Sequence, residues 1–330
     1  MLELGYVGTK STHLRSTFDP AQANPIPPGG SLTVTGQGGA QFVLTQNTVA
    51  NATARGLYVG INPGAFEAFA PNSDAHYNGF QATVSHKFSK GLYFQSAYTW
   101  SKSIDDVSTA SVAFVERVNN QLSGAASRGL SDFDRRHRFV TSLNYALPFM
   151  NNRHDAVGYV AGGWEVDSVI VAQSGTPITI QDSAGGLAYD ITTPNIATAN
   201  FAPGFNCSNA LNSGGLASKV ANWVNPAAYA KAPPVPNSPD GATGFGDSPR
   251  NCIIGPKQVN VDFTLGKTFK IGERQNLRFR AEFFNLFNHP SFQNPLNFGY
   301  ADFEQGSNIG KITQTVGTPR LVQFSLKYSF

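Results

Sequence analysis

The end of the chain sorts its side chains by alternate position. Val322, Phe324, Leu326, Tyr328 and Phe330 fall on one face, and Gln323, Ser325, Lys327 and Ser329 on the other. Successive side chains of a strand point to opposite sides, so a two-residue period makes a ribbon with one greasy and one wet face. The period recurs upstream. Val259, Val261, Phe263 and Leu265 oppose Asn260, Asp262 and Thr264. Leu277, Phe279, Ala281 and Phe283 oppose Asn276, Arg278, Arg280 and Glu282. Phe139, Thr141, Leu143, Tyr145 and Leu147 oppose Arg138, Ser142 and Asn144, with Val140 out of phase. Leu92, Phe94, Ser96, Tyr98 and Trp100 oppose Gln95, Thr99 and Ser101, with Tyr93 and Ala97 as exceptions. Phe80, Ala82, Val84 and Phe88 oppose Gly79, Gln81, Thr83, Ser85 and Lys87, with His86 as the exception. Trp164 to Ser174 alternates less cleanly, and Leu2 to Val7 reads as the end of one more strand.

About eight strands result. Most reach about 9–12 residues with their flanks, against about 5–6 in soluble proteins. A tilted strand crosses a bilayer in about 9–11 residues. Length therefore predicts an all-β fold, an antiparallel transmembrane β-barrel. The links agree. Ser89-Lys90-Gly91 and Ile271-Gly272-Glu273-Arg274 are short, and Pro148 to Gly163 is medium. Lys102 to Arg135, Gly175 to Lys257 and Asn288 to Pro319 are long. Barrels alternate short periplasmic turns with long extracellular loops in this way, which puts the C-terminus at the periplasmic rim. The long links carry turn dipeptides such as Pro28-Gly29, Gly214-Gly215 and Asp240-Gly241, and are read as loops without structure of their own. Aromatic residues gather near strand ends, at Tyr98, Trp100, Tyr145, Phe149, Phe287 and Phe292, where barrels place their girdles.

Composition narrows the function classes. Charged residues make up only 14% of the chain and the net charge is +3, too weak to argue for nucleic acid. No run of roughly 18 apolar residues exists to form a transmembrane helix. The opening MLELGYVGTK lacks the basic start and apolar run of a signal peptide. An outer-membrane protein must be exported, so the true N-terminus is expected upstream, with Met1 an internal methionine.

The charged cluster Asp132, Asp134, Arg135, Arg136 and His137 offers carboxylates and an imidazole. Its members are adjacent, so alternate side chains diverge, whereas catalytic groups must converge on one reacting atom. It reads as a strand rim with Asp and Arg paired. Arg278, Arg280 and Glu282 share one face; Arg in lipid costs about 2–4 kcal/mol at the midplane, so they are expected to face the lumen. Cys207 and Cys252 either pair in an oxidising compartment or remain two separate thiols. The six histidines, His13, His76, His86, His137, His154 and His289, show no metal-ligand spacing. Gly266-Lys267-Thr268 matches the tail of a phosphate loop, but Val261 stands where that motif needs a glycine, and the match reads as chance. Gly36 to Gly39 lacks the lysine such a loop needs, and Pro249-Arg250-Asn251-Cys252 lacks the surroundings of a catalytic cysteine. No catalytic set, cofactor site or metal site is expected. Tyr328 and Phe330 close the last strand with aromatics, in the manner of a barrel-assembly signal.

Several tracts resemble strands of TonB-dependent transporters. They include Tyr77-Asn78-Gly79-Phe80-Gln81-Ala82, Ala97-Tyr98-Thr99-Trp100-Ser101-Lys102-Ser103 and Ser131 to Phe139. Leu147-Pro148-Phe149, and Gly163-Trp164 with Gln173-Ser174-Gly175-Thr176-Pro177, are similar. The most specific is Arg278-Phe279-Arg280-Ala281-Glu282-Phe283-Phe284-Asn285-Leu286-Phe287-Asn288, which resembles the Oar-like subgroup with its carboxypeptidase-regulatory-like N-terminal domain. The resemblance implies that residues 1–330 are the C-terminal part of a 22-stranded barrel, with the plug domain and N-terminal strands absent. It implies a place in the outer membrane of a Gram-negative-type bacterium. The implied partners are outer-membrane lipid, the barrel-assembly machinery, an unidentified extracellular ligand, and a TonB-type coupling protein reached only through the missing plug. It transfers no substrate-binding residue. Two alternatives stand beside it: a complete eight-stranded barrel with a structural or adhesive role, and a secreted β-sandwich that binds carbohydrate.

Overall fold

The computed structural model describes residues 1–58, 61, 68–87, 91–108, 117–150, 153, 155–189, 197–271, 275–295, 301–304 and 309–330. Phe88, Ser89, Lys90, His154, Gly272, Glu273 and Arg274 lie outside the described residues.

Among the described residues the long strands are β1 (Leu2–Phe18), β2 (Ala68–Lys87), β3 (Leu92–Asp105), β4 (His137–Ala146), β5 (Trp164–Gln173), β6 (Gln258–Lys270), β7 (Asn276–Phe284) and β8 (Leu321–Ser329). Each pairs antiparallel with the next in sequence, and the short strand Gly129–Leu130 adds to the upper end of β3. The result is one up-and-down sheet. It is open among the described residues, because β1 and β8 each have a single neighbour. The predicted antiparallel all-β meander is present; its closure into a barrel is not seen here. The long strands form one sheet and do not divide into two sheets packed face to face, which removes the sandwich.

Two expectations need correction. Leu2 to Val7 is not the end of a strand but the start of the 17-residue β1. Its polar middle, with Thr9, Lys10, Ser11 and Thr12, hides the alternation. Likewise β2 begins at Ala68, well before Phe80, and runs for 20 residues. Its first part includes Pro71 and pairs only with β1, since β3 joins no earlier than Ala75. A proline is tolerated there because one side of the strand has no ladder to break. The register slips between Ser11 and Leu14, where His13 takes a positive φ of 58°, as in a bulge.

Register turns the separate alternations into one surface. Tyr6 lies opposite Phe80, Phe80 opposite Trp100, Tyr98 opposite Phe139 and Tyr145 opposite Val166. Val166 meets Leu265, Leu265 meets Ala281, and Ala281 meets Phe324. All these residues share a face, and so do Thr141 and Ser96, as the period predicted. The positions read as exceptions also obey the register. Val140, Ala97 and Tyr93 lie on the polar face, and His86 on the apolar one. The apolar face is bare: Leu4 is 63% exposed and Phe324 66%. Only Ala281 among the buried hydrophobic residues lies in a long strand.

The dry core lies in the long links, contrary to the expectation of loops without structure. All four long links, between β1 and β2, β3 and β4, β5 and β6, and β7 and β8, leave from the same end of the sheet. Among the described residues they contain the helical turn α1 (Ala52–Arg55), the helix α3 (Leu216–Ala221) and five two-stranded ladders. Ile178, Ile180, Val224, Tyr229, Ile253 and Ile309 form the centre of a cluster there. Turn-rich composition concealed it, because its strands are mostly two residues long and show no period. The helix α2 (Ala156–Ala161) lies in the medium link at the opposite end.

The face assignment is tested by moving charge across it. Phe324→Arg puts a guanidinium on the apolar face, at an expected cost of about 2–4 kcal/mol once that face meets lipid. Gln323→Arg puts the same group beside Glu282 on the polar face and is expected to change stability by less than about 1 kcal/mol. Denaturant titration of both variants folded into vesicles measures the difference, and equal costs would refute the assignment.

Candidate functional site

The polar face carries an ordered charge ladder. Arg280 Nη2 lies 3.0 Å from Glu282 Oε1 on the same strand. Arg278 instead pairs with Glu165 of β5, two strands away. Gly266 of β6 makes that reach possible. It stands opposite both Glu165 and Arg280, and a Cβ there would sit 2.6 Å from Glu165 Oε1. Gly266 is thus a gap through which a carboxylate crosses β6. These pairs are half-exposed, so each is worth little by itself.

Beside the upper part of this face lies a cleft of about 510 Å³, between β5, β6 and β7 and the link to β8. Gln173, Asn260, Asp262 and His289 supply its polar lining, and Val171, Phe284 and Leu321 its apolar one. Asp262 is already committed: it accepts from Asn260 Nδ2 and from the Asn285 backbone N–H, both at 2.9 Å. Gln173 donates to Gln258 at 2.7 Å. These groups hold the cleft's shape, and the arrangement offers shape and hydrogen bonding.

The charged cluster at the entry to β4 draws partners from outside itself. Asp132 is an acceptor for Arg250, 3.3 Å away, and for Asn251 at 2.5 Å, both from the link between β5 and β6. Asp134 accepts from the Ser103 backbone N–H at 2.6 Å, and burial pushes its carboxyl above the usual range. Arg135 donates to the Ser174 carbonyl at 2.6 Å; burial pushes its pKa down, with Arg138 adding to the effect. His137 Nδ1 lies 2.7 Å from the Tyr98 hydroxyl, at the top of the apolar face. Arg136 offers its backbone carbonyl to Ser101 at 3.1 Å. The five are spread over a loop base and converge on no common point.

Arginine is the fastener of the long-link end. Arg250 donates to the Ser127 and Asp105 carbonyls at 2.8 and 2.9 Å and pairs with the buried Asp105 carboxylate. Arg117 reaches Asp106 at 3.1 Å and the Asn72 carbonyl at 2.8 Å, while Asp106 also accepts from Ser73 at 2.5 Å. Arg55 donates to the carbonyls of Asn24, Thr48 and Ala188 at 2.8 to 3.1 Å. Burial lowers its pKa, partly offset by Tyr189 and Asp240. Cys207 and Cys252 are joined by a disulfide with 5.4 Å between Cα atoms. Sequence reading missed these arginines, because nothing local marks a side chain whose partners lie more than a hundred residues away, as those of Arg250 do. The described residues contain no group of three metal-ligating side chains.

Lys267, read in the sequence only as part of a chance motif, has a place of its own. It continues the row Val259, Val261, Phe263, Leu265 and so lies on the apolar face, yet it is only 1% exposed. Its ammonium donates to the Gly162 carbonyl and lies 4.8 Å from the Phe269 ring centroid and 5.3 Å from that of Trp164. A charge in phase with a greasy row was the available signal. Tyr328 and Phe330 end the same face with their rings 5.9 Å apart, and Phe330 is almost wholly exposed.

Two variants test the loop-end network. Arg250→Ala strands the buried Asp105 carboxylate, for an expected loss of about 3–5 kcal/mol, read as faster protease cleavage of the 176–256 region. Asp134 holds its proton more tightly folded than unfolded, so its contribution to stability falls as pH rises from the unfolded to the folded pKa. Asp134→Asn is expected to flatten that slope in melting curves recorded across the acidic range, and an unchanged slope would refute the assignment.

Comparison with curated proteins and with solved structures gives no match. The profile of the outer membrane beta barrel domain family, however, matches residues 1–323 and so spans β1 to β7 in full and the start of β8. With its bare apolar face, its polar reverse and its alternating short and long links, the chain belongs to the outer membrane beta barrel domain family and is a protein of the outer membrane.

Proposed function

We propose that this chain is part of the barrel wall of a larger TonB-dependent transporter that takes up an extracellular ligand. The observation that carries the reading is the open sheet. After eight long strands, β1 and β8 remain unpaired with each other among the described residues. In hydrocarbon an open edge is untenable, because no water satisfies its backbone groups. Further strands would complete the wall, as in the 22-stranded barrels that the sequence resembles. In such a barrel the apolar face meets lipid and the polar face lines the lumen, with the long-link end outside the cell. The charge ladder of Glu165, Arg278, Arg280 and Glu282 would then face a plug. Ligand would be met by the folded long links and admitted by plug rearrangement driven through the coupling protein. The cleft beside Asp262 and His289 offers a place to hold ligand on its way. Tyr328 and Phe330 would serve the assembly machinery.

A complete eight-stranded barrel is the second reading, and it requires β1 to pair with β8. Cysteine pairs placed along the two strands, such as Val7→Cys with Ser325→Cys and neighbouring registers, discriminate the two readings in outer-membrane preparations. The transporter reading expects no disulfide between β1 and β8 within one chain. Efficient intrachain cross-linking in one register would overturn it. Uptake is tested by growth on iron chelates, peptides or glycans as the limiting nutrient, in cells with and without an in-frame deletion. A deficit confined to one class, reproduced in intact cells by a protonophore, is expected; equal growth on all classes would count against transport.

A further inference from the structure

At the short-link end, the connection between β4 and β5 does not turn tightly. It folds back against the apolar face. Trp164 Nε1 donates to the Val160 carbonyl at 3.2 Å, and the Tyr159 ring packs 5.7 Å from that of Phe269. Lys267 reaches the Gly162 carbonyl from the same side. Trp164, Lys267 and Phe269 all belong to the apolar rows, so α2 sits at the lower margin of the apolar face.

The link is built to hold this position. Asp155 caps α2 by accepting from the Gly158 N–H at 2.9 Å, and it pairs with Arg153. Gly158 packs against the Arg153 backbone so closely that a Cβ would collide with it. Gly162 closes the helix with its N–H 2.9 Å from the Gly158 carbonyl. What the link presents outward is apolar. Phe149, Val157 and Val160 are 55%, 50% and 63% exposed, and Met150 and Tyr159 are exposed beside them. Val157 and Val160 are three residues apart and share one side of the helix. In water such a patch on a linker would be a liability.

We propose that this link, through residues 149, 150, 153 and 155–163, forms an interfacial anchor, immersed in the phospholipid leaflet on the periplasmic side of the outer membrane. Phe149, Val157 and Val160 enter the acyl region, and Arg153 and Asp155 lie among the headgroups. The patch is continuous with the lipid-facing surface of the sheet, which is what selects lipid over a protein partner. The arrangement also accounts for Lys267. A lysine in a lipid-facing row is tolerated because the folded-back link supplies a carbonyl, and Trp164 and Phe269 of the sheet supply two aromatic rings, before the charge meets hydrocarbon. Helices of this kind lie in the interface plane with their apolar side sunk into the headgroup and acyl boundary. The anchor fixes the depth of β4, β5 and β6 in the bilayer, with Tyr145 and Trp164 at the same level.

The inference rests on the outer-membrane placement of the sheet, and the test separates the two. Because both native cysteines are in a disulfide, a nitroxide label goes only to an introduced thiol. Val160→Cys and, independently, Val157→Cys are labelled in the full chain in vesicles of phosphatidylethanolamine and phosphatidylglycerol. Leu326→Cys serves as the lipid-facing reference, and Ser213→Cys, on an exposed long link, as the aqueous one. Power saturation with oxygen and with a water-soluble nickel chelate reads depth. The expected result is that labels at 160 and 157 resemble that at 326, with the oxygen-to-nickel accessibility ratio several-fold above that at 213. If 160 and 157 match 213 while 326 stays oxygen-dominated, the anchor is overturned and the barrel wall stands. If 326 itself is nickel-accessible, the sheet is not in lipid and the inference falls with it.

Discussion

A strand in a bilayer must give every backbone N–H and C=O a partner, because hydrocarbon offers none. In this chain that demand is met by neighbour pairing in strict sequence order for β2 to β7, each hydrogen-bonded to the strand before and the strand after, while β1 and β8 are paired on one side. Sequential pairing fixes the register, and the register sets every surface property described above. A slip of one residue in any pair would rotate a whole row of Phe, Leu and Val onto the polar side. The turns therefore matter less for what they contain than for the phase they impose.

The protein has two apolar regions built in opposite senses. The sheet is dry on its outside, with Leu4, Phe324 and Leu326 bare to their surroundings and almost nothing buried between strands. The long links are dry inside, gathered on Ile178, Ile180, Val224 and Ile253. The first arrangement needs lipid to be stable and the second needs water around it. The boundary between them falls where arginine is used most. Arg250 and Arg117 draw separate links onto the buried carboxylates Asp105 and Asp106 at the upper end of β3.

The wall was legible in the sequence because its order is periodic. Alternation located all eight long strands, and even impure rows such as Ser96 with Thr141 kept their phase. What alternation could not give was the extent of β1 and β2, whose upper portions carry no clean two-residue period. Nor could it give the interior of the long links, where order comes from contacts between distant segments. Asp132 was visible as a charge, but its partner Arg250 was not. Lys267 was seen and set aside as part of a chance motif, although its phase in the row was the more informative fact. Arg278, Arg280 and Glu282 share a face by their spacing; the long reach of Arg278 to Glu165 depends on the missing side chain of Gly266.

That vacancy at Gly266 couples volume to electrostatics. A larger residue there would do more than crowd its neighbours. It would press on the Glu165 carboxylate and disturb its pairing with the Arg278 guanidinium, so that an added methyl group on β6 is registered on both neighbouring strands as a change in local field. A wall of this kind can retune the potential along its inner surface through an uncharged position, without gaining or losing a single ionisable group.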